Sequence, residues 1–299
     1  MIQDYLIAGH RIRIEGDRLV IAVGTLTGFA PFKAEADDGA ATDGEAICRF
    51  VESAEEAPAF KEVLYANEID GIVSYFGRYN GGFLFVMAPP EGETLELWLG
   101  ESKRVANFKG NYNLLLLRFA CWIAYGVATA PLETVAIHTS TIVCKGKAIL
   151  FLGESGMGKS THTRLWREHI EGAALLNDDS PIIRIIDGNP WVYGSPWSGK
   201  TPCYKNESYP LAACVRLSQA RYNQIKKLSV AQGYGALHPS CPPDFAYSDE
   251  LYDYISGVLS TLLSTVPVYH LACLPDAAAA RLSYKTIFGK EDRGIVGNI

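Results

Sequence analysis

Up to about residue 110 the chain alternates apolar and polar positions in short runs separated by turn residues. Arg11-Ile-Arg-Ile14 alternates, turns at Glu15-Gly16-Asp17 and resumes as Arg18-Leu-Val-Ile-Ala22. That is the pattern of half-buried strands. Ile72–Arg78 and Phe83–Met87 flank Tyr79-Asn80-Gly81-Gly82. An Asn-Gly pair between apolar runs predicts a hairpin whose type I′ turn needs positive φ at both central residues. Pro89-Pro-Glu-Gly-Glu93 predicts a further turn, and Thr94–Trp98 a strand after it. Residues 1–110 are expected to form a mainly antiparallel β domain.

From Tyr112 the period changes. Residues 112–128 carry aromatic and leucine faces at helical spacing, and Pro131 predicts the break that follows. The apolar stretch Leu114–Tyr125 is expected to be too short to span a bilayer, and Arg118 interrupts it. Val135–Cys144 reads as a strand, Lys145-Gly146-Lys147 as a tight turn and Ala148–Leu152 as the returning strand. A hairpin thus leads into the glycine-rich turn beyond Leu152, unlike the parallel crossover of doubly wound nucleotide-binding folds. A helix is predicted over Lys159–Ile170, ending near Gly172. A short strand from Ala173 should end at Asn177-Asp178-Asp179, and a hairpin should join Pro181–Ile186 to Trp191–Tyr193. Helical texture is read as dominant after Leu211, with a last strand over Val266–Leu271 and an alanine-rich helix over 277–282. Residues 111–299 are taken as the second domain.

The chemistry concentrates at that glycine-rich turn. Gly153-Glu154-Ser155-Gly156-Met157-Gly158-Lys159-Ser160 fits G-x4-G-K-[S/T], and Thr161 follows it. Glycines let backbone N–H groups approach phosphate oxygens, and the start of a helix adds unpaired donors and partial positive charge. Lys159 is placed to neutralise β- and γ-phosphates, and the Ser160 hydroxyl to ligate Mg²⁺. A phosphate-holding loop also needs an acidic element, and Asp178-Asp179 ends the next strand. One carboxylate could hold Mg²⁺ through water, and the other could take a proton from an acceptor hydroxyl. The same pair could instead cap the turn before Ser180-Pro181. His138 lies on the strand that pairs with the loop strand, where a histidine is more often a satisfied core residue than a catalytic one.

Taken in order, His138, the hairpin, the Gly-x-Ser-Gly-x-Gly-Lys-Ser loop and the Asp-Asp pair resemble the catalytic domain of HPr kinase/phosphorylase, a relative of ATP-dependent phosphoenolpyruvate carboxykinase. The resemblance covers about residues 110–290 and is concentrated between 138 and 180. It implies an α/β fold with a mixed-sheet P-loop kinase core of that type, preceded by the mainly β domain. It implies ATP and Mg as cofactors, His138 as an active-site residue, Asp179 as the proton acceptor and Asp178 as the metal-side or orienting carboxylate. The sequence also departs from that family. Where the family carries a Glu-x-Arg-Gly-Leu-Gly segment, this chain reads Tyr193-Gly-Ser-Pro-Trp-Ser-Gly-Lys200, without an acidic residue. Lys200 is open between a phosphate or acceptor contact and a solvated loop lysine. A later catalytic Arg has no counterpart, and the N-terminal half does not match. A divergent relative is therefore expected, acting as a phosphotransferase on a hydroxyl, with a protein or peptide serine among the candidate acceptors.

Composition narrows the partners. Of 299 residues, 48% are apolar and 20% charged, with a net charge of -6. That is an ordinary globular balance, without the basic footprint of nucleic-acid or membrane binding. Met1-Ile-Gln-Asp-Tyr lacks the basic and apolar regions of a signal peptide. Seven scattered cysteines without a Cys-x-x-Cys pair suggest reduced thiols and a cytoplasmic protein. Glu35–Glu45 is acidic, but its spacing does not match an EF-hand, so it is read as a solvated loop. Leu-Ser-Gly-Gly-Gln and Asn-Lys-x-Asp are both absent, which disfavours ABC ATPases and GTPases. A non-catalytic nucleotide-binding regulator and a metabolite kinase or carboxykinase-like enzyme stay open, as does a homo-oligomer.

Overall fold

The computed structural model describes residues 1–34, 45–199 and 201–289. Lys200 and all but the last residue of the acidic loop at 35–45 lie outside these. The chain forms a mixed α/β structure with two mixed sheets. It divides into two compact units, Met1–Val135 with Pro242–Ile255, and Ala136–Cys241 with Ser256–Ile299. By compactness the first unit thus runs past residue 110 to take in the first long apolar helix.

The first unit contains β1 (Ile2–Ile7), β2 (His10–Glu15), α1 (Asp17–Thr25), β3 (Cys48–Glu52), β4 (Glu62–Ile69), β5 (Ile72–Tyr79), β6 (Gly82–Ala88), β7 (Leu95–Gly100), β8 (Val105–Gly110) and α2 (Leu114–Thr129). The sheet order is β1-β2-β3-β8-β7-β6-β5-β4. Most neighbours are antiparallel, but β3 runs parallel to both β2 and β8.

The parallel step follows from a correction. Arg18–Ala22 is not a strand but part of α1. Gly16, at φ 108, turns the chain, and Leu19 and Val23 are buried while Ile21 is exposed. Burial four residues apart is helical spacing, which alternation over five residues does not distinguish. The Asn80-Gly81 hairpin is present, with Tyr79 opposite Gly82, but of the two central residues Gly81 has positive φ (123) and Asn80 does not, so the turn is not type I′.

Helix α2 carries Asn113 as its N-cap, whose side chain accepts from the Leu115 N–H at 2.9 Å. The helical run continues through a 3-10 turn to Leu132. At 19 residues with a mean hydropathy of 1.5 it is long and apolar enough to cross a membrane, contrary to the expected shortness, and 67% of it is buried inside the fold. It packs on α1, β3, β6 and β7.

After β9 (Thr134–Ala136) the second unit contains β10 (Thr139–Cys144), β11 (Lys147–Leu152), α3 (Lys159–His169), β12 (Ala174–Asp179), β13 (Ile182–Ile186), β14 (Asn189–Tyr193), β15 (Ser208–Gln219), β16 (Gln224–Lys227) and α4 (Val230–Leu237). Helix α5 (Asp249–Thr265) starts in the first unit and ends in the second. β17 (Val268–Cys273) and α6 (Ala277–Phe288) complete the fold. The strand expected over Val135–Cys144 is broken at Ile137-His138. Helical texture after Leu211 is also corrected, because Ser208–Gln219 is the central strand of the second sheet. Leu211, Ala213, Cys214, Val215 and Leu217 are all buried. A strand covered on both faces loses its alternation and reads like a buried helix.

Strand order runs β12-β10-β11-β15-β14-β13, with β17 between β15 and β16. The hairpin expectation holds: β10 and β11 are antiparallel, joined at Lys145-Gly146, while β11 runs parallel to β15 on its other side. Helices α3 and α6 cover one face. Their core gathers Phe151, Trp166, Leu175, Val215, Leu271 and Phe288. Polar groups there are paired: Trp166 Nε1 donates to Ser283 Oγ at 3.0 Å, and His162 Nε2 lies 3.3 Å from the same oxygen. Burial pulls His162 down to about 4, so the ring is neutral beneath the glycine loop.

Candidate functional site

The loop at 153–158 leaves the end of β11 and enters α3 directly. Gly156 (φ 80) and Gly158 (φ 102) adopt left-handed backbone, and a Cβ at either would meet nothing within 4 Å. Backbone conformation, not crowding, therefore calls for glycine at these two positions. Gly158 is the N-cap of α3 and supplies no side-chain cap. The first helix N–H groups, at Lys159, Ser160 and Thr161, have no carbonyl one turn earlier to accept them. The first bond of the helix is His162 N–H to Gly158 O, at 2.9 Å.

Lys159 Nζ donates to the carbonyls of Gly153 at 2.7 Å and Glu154 at 3.3 Å. Burial holds its ammonium below the ordinary value, Asp179 and Asp178 oppose that shift, and Arg216 adds to it. Ser160 Oγ lies 3.2 Å from both carboxylate oxygens of Asp178. Strand β12 therefore delivers Asp178 to the start of α3, and the side chain is 5% exposed. Asp179 sits more openly, with Oδ1 3.8 Å from His138 Nε2. His138 is half exposed. Burial, then the charge of Lys159, lowers its pKa against the raising effect of the two carboxylates, which favours neutral imidazole.

Neighbours on a regular strand point to opposite faces. Here Asp178 reaches Ser160 and Asp179 reaches toward His138, while both carboxylates act on Lys159. The backbone provides for this: Asp179 has φ 139, in the region that favours glycine. Its neighbours are clamped on both sides. Asn177 Oδ1 accepts from Ser180 N–H at 2.9 Å. Asp178 O accepts from Gly199 N–H and, at 3.2 Å, from Ser198 Oγ. Asn177 Nδ2 donates to Ser195 Oγ at 3.2 Å and Trp197 O at 3.0 Å. The segment from Tyr193 to Gly199, which carries no acidic residue, is therefore a buttress for the aspartate pair, with Ser195 and Ser198 fully buried.

The structure thus brings His138, Lys159, Ser160, Asp178 and Asp179 to one end of the second sheet. Glu154 and Ser155 are exposed on the loop. Met157 and Thr161 line a cleft of about 350 Å³ beside it, together with Leu165, Leu217, Gln219 and Leu274. Sequence reasoning missed Arg216. It lies on β15 opposite Leu152, the last residue before the loop, and its Nη2 is 3.4 Å from Glu154 Oε1. Reading the region as helical hid it. A lone polar residue in the buried run Ala213–Leu217 was the available signal.

Ser160 and Asp178 offer hard oxygen donors side by side, which suits Mg²⁺. Among the described residues no three His, Cys, Asp or Glu groups gather to cage a metal.

No protein-family model matches the chain, and no curated protein matches it. Among solved structures it is similar to the Hpr(Ser) kinase/phosphatase from Coxiella burnetii. The identity is 10% and the TM-score 0.31, over 54% of this chain and 99% of that one.

Proposed function

We propose that the protein is an ATP- and Mg²⁺-dependent phosphotransferase with a hydroxyl acceptor. The observation that carries the reading is the pairing of Ser160 with Asp178 at the start of α3, with Asp179 and His138 beside it. In this reading the loop N–H groups and Lys159 hold the triphosphate, and the neighbouring 350 Å³ cleft, apolar with Thr161 and Gln219 at its wall, takes the nucleoside. Ser160 and Asp178 would hold Mg²⁺, which when bound neutralises charge on the phosphate oxygens. Asp179 accepts the proton of the acceptor hydroxyl as that oxygen bonds to the γ-phosphorus and the bridging bond to the β-phosphate breaks, releasing ADP. Neutral His138 orients the Asp179 carboxylate. The resemblance in sequence points to a serine of a protein or peptide as the acceptor class.

MgATP should raise the melting temperature of the full chain, and Lys159→Ala should abolish that rise. An unshifted wild type would end the nucleotide reading. Asp179→Asn should keep MgATP binding and lower phosphate transfer to serine-containing peptides by about 10²–10⁴-fold. The absence of a carboxylate from Tyr193 to Gly199 favours a second reading, a nucleotide-binding regulator. Binding by the wild type without ADP release, and equally by Asp179→Asn, would select it.

A further inference from the structure

Three side chains tie the glycine loop down, and two of them come from β15. Lys159 Nζ holds the carbonyls of Gly153 and Glu154. Gln219 Nε2 donates to Gly156 O at 3.4 Å, and Arg216 Nη2 reaches Glu154 Oε1 at the same distance. The two arms of the Arg216 guanidinium are engaged differently. Nη1 donates at 3.2 Å to Ala236 O, in the last turn of α4, which anchors the group at the helix end favourable to a cation. Nη2 faces the loop. The arginine is 24% exposed and the glutamate 73%. An ion pair with one partner so open to water is weak and readily exchanged.

Arg216 is also a second cation at the loop: it lies opposite Leu152 and reaches the Glu154 side chain, while Lys159 holds the Glu154 carbonyl. Two partly buried cations at the head of a glycine loop are mutually unfavourable unless an anion bridges them. A phosphate chain offers such an anion, and a guanidinium can meet it with parallel N–H bonds.

We propose that Arg216 is a second phosphate-binding cation of the glycine loop, and that Glu154 occupies it with a carboxylate that an incoming polyphosphate displaces. The loop then carries its own competitor. A longer phosphate chain brings more charge and more oxygens with which to meet both Lys159 and Arg216, so the exchange should favour di- and triphosphates over a monophosphate. This assignment deepens the nucleotide reading and rests on it for the identity of the ligand, but its charge chemistry can be tested without a nucleoside.

Isothermal titration of the full chain with ATP, ADP, AMP and inorganic tripolyphosphate separates the two. Arg216→Met should weaken ATP and tripolyphosphate at least tenfold and AMP less than twofold. Arg216→Lys should fall between. Glu154→Gln should tighten ATP several-fold, a gain that a purely structural ion pair would not give. It also keeps the test open if Arg216→Met fails to fold. Unchanged ATP affinity in Arg216→Met, an equal loss for AMP, or weaker binding in Glu154→Gln overturns the proposal and leaves the nucleotide reading standing. Wild-type binding of tripolyphosphate alone, lost in Arg216→Met, supports the cation and ends the nucleotide reading. A wild type that binds none of the four ligands overturns both.

Discussion

Two charged regions, the clusters around Asp4, Glu15 and Glu250 in the first unit and the loop end of the second sheet, use charge in opposite ways. In the first-unit clusters, opposite charges close on one another. Asp4 takes Arg13 at 2.8 Å and Arg11 at 3.0 Å, Glu15 takes Arg49 at 2.5 Å, and Glu250 takes Arg78 at 3.2 Å and Lys103 at 2.5 Å. The Arg13 hydrogen bond holds Asp4 below the ordinary carboxylate value, and Arg49 does the same for Glu15. At the loop end of the second sheet the contacts are longer and like charges adjoin. Asp179 and His138 are 3.8 Å apart, Glu154 and Arg216 3.4 Å, and among the described residues Lys159 bonds to loop carbonyls. Satisfied ion pairs stabilise a fold and leave little for a ligand. Under-compensated ones cost stability and are what a charged ligand can use.

That contrast breaks first at Asp4. Asp4→Asn removes the carboxylate that Arg11 and Arg13 share and should cost about 2 kcal/mol, read as a lower urea midpoint. MgATP affinity of the folded protein should not change. A matching loss of affinity would mean that the first unit's charges serve the site, and the comparison would fail.

A comparable effect, confined to low pH, comes from His162, the buried ring under the loop. Its folded value of about 4 lies below the ordinary 6.5, so between these values the unfolded chain binds more protons. Stability is full above about pH 6.5 and falls as the pH drops toward 4. At pH 5 the loss should be about 2 kcal/mol. Melting temperatures of wild type and His162→Gln across pH 4–7 check it. The difference between them should shrink as the pH falls, because only the wild type loses this contribution. A constant difference would place the proton elsewhere.

The loop strand, α3, β12 and the hairpin after it were legible because each carries local punctuation: a glycine-rich turn, a helix stop at Gly172, an acidic strand end, the Asp187-Gly188 turn. The segment β15 was not. Its burial comes from neighbours distant in sequence, β11 on one side and β17 on the other, and a run buried on both faces has no period to read. Arg216 was missed with it. Helix α1 was misread because five residues fit both periods until Leu19 and Val23 are seen to share one buried face. Asp178 and Asp179 were legible as a pair. The device that lets both serve one site was not, because φ at Asp179 is imposed by the Ser195–Gly199 buttress and has no signature in the residue itself.

That device makes the finest test. A non-glycine residue in this backbone region costs about 1–3 kcal/mol and persists only where its surroundings over-determine it. Asp179→Gly should recover part of that cost, less the added freedom of the unfolded chain, for a net gain of about 1 kcal/mol. Asp179→Ala removes the same carboxylate but keeps Cβ, so it should show no such gain. The difference between the two variants isolates the backbone from the charge, and urea midpoints measure it. Both variants should lose phosphate transfer while binding MgATP. Stability that rises as transfer is lost is what under-compensated, strained chemistry predicts for this end of the sheet. Equal midpoints for Gly and Ala would show that Asp179 stores no strain, and the contrast between the units would then rest on charge alone.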